Sequence, residues 1–143
     1  MSSLLARAQA DIDIAKLLLS PQGNPGNDEM ITDQAAYHVQ QGLEKALKYQ
    51  TEMLGIEYKR THNLVGLISD LEKNGFAISD KLKEKSFIIS DWEASSRYND
   101  DFCVVKKDVE EAIMLYEELK EKILLQLEFQ GLNPRSPAKP PEG

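Results

Sequence analysis

Two clusters in this sequence hold side chains that could do chemistry. The first is the run Tyr37-His38-Val39-Gln40-Gln41-Gly42-Leu43-Glu44-Lys45-Ala46-Leu47-Lys48. In it His38, Gln41, Lys45 and Lys48 recur at spacings of three and four, so on a helix an imidazole, an amide and two ammonium groups fall on one line. The second cluster is the stretch from Asp91 to Asp101, with Trp92, Arg97, Tyr98, Asn99 and Asp100 between them. There the Arg97 guanidinium could grip phosphate oxygens with two hydrogen bonds. Tyr98 could stack on a base or support the arginine, and Asn99 offers both a donor and an acceptor. Against this stand Asp100 and Asp101, which could neutralise Arg97 and make the segment an ordinary capped helix end.

Other chemistries find little footing. His38 and His62 have no partners at metal-ligand spacing, so neither a metal nor any other cofactor is expected. His62 lies in Thr61-His62-Asn63-Leu64, where Thr61 or Asn63 suits a helix cap better than catalysis. The single cysteine, Cys103, excludes an internal disulfide and any cysteine-rich zinc module, and with no histidine near it in sequence it has no support as a nucleophile. No glycine-rich phosphate loop and no serine-nucleophile elbow occurs. No catalytic residue is assigned. The net charge of −7 argues against broad duplex binding, which needs clustered cations, yet leaves room for one local basic pocket. No apolar run approaches the roughly 20 residues of a membrane span. The stretch after Met1 carries charge where a signal peptide would be apolar, so a cytoplasmic protein is expected.

The elements that must position these groups read as helices throughout. Leu5, Ala8, Ile12, Ala15 and Leu19 mark one face of a helix over Ser3–Ser20. Pro21–Asp28 reads as a loop. Ala36, Val39, Leu43, Ala46, Gln50 and Met53 mark a second helix over Met30–Leu54, with Gly55 as its stop. A short third helix carries Leu64, Leu67, Ile68 and Leu71 and ends at Asn74-Gly75. Ser79 or Asp80 caps a fourth, with Leu82, Ile89 and Trp92 facing inward. Val105, Val109, Ala112, Tyr116, Leu119 and Ile123 mark the last helix, over Val105–Leu127. The 143 residues suit one domain. The expectation is an all-α antiparallel up-and-down bundle of four long helices and one short one over residues 1–130. Residues 131–143, rich in proline, read as a disordered tail.

On the second helix, His38, Gln41, Lys45 and Lys48 fall roughly 160° around from the Ala36–Val39–Leu43–Ala46 seam. The plain reading is a solvated face. In that reading Glu44 and Lys48 form an ordinary pair one turn apart, worth only tenths of a kcal/mol. The sharper reading covers this helix on two sides and turns the polar stripe toward a cleft or a second subunit.

The residues from Ala35 to Leu71 resemble the HEPN domain family. His38, Gln40, Gln41, Glu44, Lys45, Leu47 and Lys48 match its His-x-Gln-Gln-x-x-Glu-Lys-x-Leu-Lys helix. Thr61, His62, Asn63 and Leu64 match the motif that opens its next helix, and Arg97-Tyr98 resembles the Arg-Tyr at the end of its following long helix. The similarity extends over about residues 3–128. It implies a helical bundle, a homodimer in which the Arg-bearing helix ends meet, and a link to nucleotides or RNA. It further implies two kinds of family role: partner of a small nucleotidyltransferase, often in toxin–antitoxin systems, or metal-independent ribonuclease. In the ribonucleases an arginine is followed, after four to six residues, by a histidine. Here positions 102 to 104 hold Phe102, Cys103 and Val104, none of which replaces an imidazole as an acid–base at neutral pH. The expectation is therefore a non-catalytic protein that binds a nucleotide, an RNA segment or a partner protein. Its candidate contacts are Arg97, Tyr98 and Asn99, with His38, Gln41, Lys45 and Lys48 beside them. A divergent HEPN ribonuclease or toxin and a purely structural subunit are the alternatives.

Overall fold

The computed structural model describes residues 3–57, 63–98 and 104–129, and side chains from 94 to 98 lie outside the description. Among the described residues every regular element is an α-helix: α1 (Leu4–Leu19), α2 (Glu29–Met53), α3 (Leu64–Lys73), α4 (Asp80–Tyr98) and α5 (Lys106–Phe129). The helix starts are set by short polar side chains that accept a backbone N–H otherwise left without a partner. Ser3 accepts from Ala6 at 3.1 Å, Asp28 from Met30 at 2.8 Å, Asn63 from Val65 at 2.9 Å and Ser79 from Leu82 at 3.2 Å. Helix α2 stops at Gly55, whose φ of 70° is open to glycine at little cost. There the N–H of Gly55 reaches the Glu52 carbonyl and that of Ile56 reaches Thr51, both at 3.0 Å.

The four long helices and the short α3 make the expected bundle, and α2 is its hub. It packs against α1, α3, α4 and α5 alike. As a result no residue of α2 between 35 and 51 is exposed. The predicted apolar stripes form one continuous core, with Ala8, Ile12, Val39, Leu43, Tyr116 and Ile123 fully buried. Trp92 is buried at 5% exposure, as its place on the α4 stripe requires.

Three stripe positions depart from expectation. Val105 is 61% exposed because it precedes the first residue of α5 and is not held by the helical register. Met53 is 37% exposed at the last residue of α2, where the neighbouring helices no longer cover it. Leu19, at the end of α1, is only half-buried. Helix α5 runs two residues past the predicted end. Helix α4 continues through Tyr98, so Arg97 sits in its last turn. The tail at 131–143, the connector residues Thr61 and His62, and Asn99 to Cys103 lie outside the described residues.

Helices α1 and α2 approach each other closely at Gly42. A Cβ added to Gly42 would stand 2.7 Å from Ile12 Cδ1 and 3.2 Å from the Ala8 carbonyl oxygen. A larger side chain there must push the helices apart. Gly42→Val should cost about 1–3 kcal/mol, read as a lower urea midpoint at unchanged slope. Gly66→Ala, on α3, should leave stability level or raised, since its added Cβ meets nothing within 4 Å.

Candidate functional site

The close approach at Gly42 brings α1 over the polar stripe of α2, and this overturns the solvated-face reading. Asp11 of α1 is buried, and its carboxylate takes two partners from α2. One oxygen accepts from Lys45 Nζ at 2.6 Å; the other lies 2.9 Å from His38 Nδ1. The His38 and Lys45 side chains are consequently only 25% and 29% exposed. A carboxylate offers only acceptors, so Nδ1 is the protonated ring nitrogen. Nε2 is then the acceptor of the neutral ring, or a second donor once the ring is charged.

A second carboxylate organises the other side of the stripe. Glu44 is buried at 3% exposure. It accepts from Lys48 Nζ at 2.9 Å and from Gln40 Nε2 at 3.1 Å, and Gln40 in turn accepts from Gln41 Nε2 at 2.7 Å. The Glu44–Lys48 pair is therefore no ordinary surface pair. Its carboxylate is out of water, and Lys48 helps to compensate that burial.

The four predicted residues on α2 thus join two adjacent networks, Asp11–His38–Lys45 and Gln41–Gln40–Glu44–Lys48. Each network pairs a lysine with a carboxylate, Lys45 with Asp11 and Lys48 with Glu44. Each ammonium has three donors, so both lysines keep hydrogen-bonding capacity toward a ligand.

Arg97 and Tyr98 belong to the last turn of α4, but their side chains, and the whole of Asn99, lie outside the described residues. Nearby, the backbone N–H of Val104 donates to Asp33 Oδ1 at 2.9 Å, tying the approach to α5 to the first turns of α2. Burial is the main influence on the Asp33 carboxyl and holds its pKa above the usual carboxylate value, against the lowering effect of that bond.

Three residues of these networks were not singled out as candidate contacts from the sequence: Asp11, Gln40 and Glu44, although Gln40 and Glu44 stand in the α2 motif and Glu44 was read as an ordinary pair with Lys48. Each had a signal. Asp11 lies one turn from both Ala8 and Ala15 on the apolar side of α1. Gln40, Glu44, Leu47 and Thr51 form a second stripe at spacings of four, three and four.

The Asp11 clamp is open to a direct test. Asp11→Ala leaves two half-buried donors without their acceptor and should cost about 1–3 kcal/mol. Lys16→Ala removes an exposed pair with Glu117, whose side chains are 45% and 53% exposed, and should change stability by less than about 1 kcal/mol. Urea unfolding of the two variants measures the contrast.

The chain matches the model of the HEPN domain family over residues 1–126. No curated protein and no solved structure matches it. The α2 motif, the Asn63-Leu64 start of α3 and the Arg97-Tyr98 end of α4 all fall within the matched span, which covers most of the 143 residues: the chain belongs to the HEPN domain family, a family linked to nucleotides and RNA.

Proposed function

We propose that this HEPN domain is a non-catalytic binding module for a nucleotide or RNA segment, acting as a homodimer and as the partner subunit of a small nucleotidyltransferase in the cytoplasm. The observation that carries the non-catalytic reading is the trio Phe102-Cys103-Val104, where a family ribonuclease would place its histidine. Val104 is buried at 8% exposure and tied to Asp33, which makes it a packing residue. Arg97 is the anion contact of this reading, with Tyr98 and Asn99 beside it. His38, Gln41, Lys45 and Lys48 supply donors along α2. The outer face of α4 carries Phe87 at 75% exposure, which supports a second copy packing across that helix. Among the described residues no helix is long and apolar enough to cross a membrane.

One observation favours the divergent ribonuclease. His38 is an imidazole oriented by a buried carboxylate, the arrangement that fixes a general base. It stands on α2, away from the family position, so the two readings call for different residues.

A thermal-shift screen of nucleotides and short RNAs tests binding, since a ligand at 100 times its dissociation constant adds roughly 2.7 kcal/mol. Arg97→Ala should then weaken binding at least tenfold, about 1.4 kcal/mol, with the fold intact. A folded Arg97→Ala chain with unchanged affinity would remove Arg97 from the site. RNA cleavage lost in His38→Ala would replace the binding reading with the nuclease. Light scattering should give a dimer at micromolar concentration, and a monomer there would count against the α4 interface.

A further inference from the structure

Helices α4 and α5 touch only sparsely, and the seam between them opens into a cavity of about 240 Å³. Its floor is apolar, built from Ile89, Trp92, Ala112 and Leu115. Ile88 and Val105 stand along it at 58% and 61% exposure. Past Leu115 the seam continues as a shallow furrow beside Leu119 and Glu118. The rim carries Asp91, Asp108 and Glu111 against Lys85. Glu111 is engaged by Lys81 at 3.2 Å and Lys85 at 3.7 Å. Asp108 has no ion pair among the described residues, so the unmatched acid at the seam is Asp108.

Fourteen residues follow Phe129, and among them is Pro134-Arg135-Ser136-Pro137-Ala138-Lys139-Pro140-Pro141. We propose that this segment folds back along α5 and lies in the α4–α5 seam of its own chain, prolines on the apolar floor and the Lys139 ammonium toward Glu111 at the rim. Three considerations support the assignment. The first is reach. Phe129 to Ala112 is 17 helical steps, about 25 Å at 1.5 Å each. An extended proline-rich chain advances about 3.1 Å per residue. With two or three residues spent reversing direction near Gly131, Lys139 comes back about 22 Å and Pro140 about 25 Å, level with Leu115 and Ala112. The second is polarity. Proline has no N–H, so such a segment places few unsatisfied donors over an apolar floor, and its pre-extended backbone loses little entropy on docking. The third is charge. Lys139 brings a cation to the end of the seam where Asp108 adds an unmatched negative charge to the rim.

Carbodiimide cross-linking of the full chain, read by mass spectrometry, tests the placement by joining a lysine amine directly to a touching carboxylate. Lys139 should link to Glu111, with Lys16–Glu117 as the internal positive control. In an equal mixture of ¹⁴N and ¹⁵N chains these links should stay within one isotope. Links that mix isotopes would assign the seam to the tail of a second copy and overturn the intrachain placement. So would Lys139 links to acids of α1 or α2, or no Lys139 link while the control forms. Trp92, the only tryptophan, gives a second readout. Its quenching by acrylamide should at least double in a Lys139→Glu, Pro140→Gly, Pro141→Gly chain. Unchanged quenching would overturn contact between the tail and the Trp92 floor.

Discussion

Everything in this bundle answers to the burial of α2. A helix with four neighbours has no solvent face, so a polar residue on it must find its partner inside the fold or carry an uncompensated desolvation cost. The α2 sequence is unusually polar for such a position. The conflict is resolved by two buried carboxylates, Asp11 reaching across from α1 and Glu44 on α2 itself, each accepting from two side chains. The first depends on Gly42. Only a residue without a Cβ lets Ile12 and the Ala8 backbone approach so closely, and that approach brings the neighbouring Asp11 between His38 and Lys45, two turns apart. Packing and polar satisfaction at this interface are thus one constraint.

That coupling explains what could be read in advance. Stripes such as Leu5–Ala8–Ile12–Ala15 and Val109–Ala112–Tyr116–Ile123 are legible because an outer helix of a bundle has one buried side, and a single 3.6-residue period marks it. The same procedure fails for α2. Averaging one seam from Ala36, Val39, Leu43 and Ala46 assigns the opposite side to water by default, whereas α2 has further helices there. The clue was the second stripe through Gln40, Glu44, Leu47 and Thr51, which reads as surface only to an eye that discounts polar residues in cores. Helix α4 shows a related ambiguity: Phe87 and Ile88 are adjacent apolar residues that point outward, so no clean amphipathic pattern marks its ends. Arg97 was legible as a motif residue and a candidate anion contact, and its side chain lies outside the described residues.

The electrostatics of the stripe bear on what it can bind. Lysines that stand free in a groove attract any polyanion, and the affinity falls steeply with salt. Lys45 and Lys48 do not stand free. Each is already neutralised by a carboxylate at 2.9 Å or less, so a phosphate approaching them meets hydrogen-bond donors with little surplus charge. Binding there amounts to an exchange of acceptors, in which the ligand competes with Asp11 or Glu44 for a lysine proton. Such a site rewards a ligand whose atoms fit the donors and gives little to one that merely carries charge. That agrees with a chain whose net charge of −7 repels nucleic acid at long range.

The same reasoning separates the roles available to Arg97 and to α2. A cation in the last turn of a helix is favoured by the helix dipole whether or not it binds anything, so its position on α4 serves structure and recognition equally. The α2 networks are different, because the fold would be more easily built without them. An apolar residue at position 11 or 44 would avoid the desolvation of a carboxylate and of the two partners it holds, and buried ion pairs are often neutral or unfavourable against apolar residues of similar size. Their presence in the most enclosed helix of the domain is a cost that packing alone does not require. What the carboxylates do supply is a fixed orientation: one imidazole with a defined protonated nitrogen, two ammonium groups and an amide, all held half-buried along about three turns of a rigid helix. Held in place before a ligand arrives, they lose little further freedom on binding, the condition under which a few hydrogen bonds confer selectivity without strong charge.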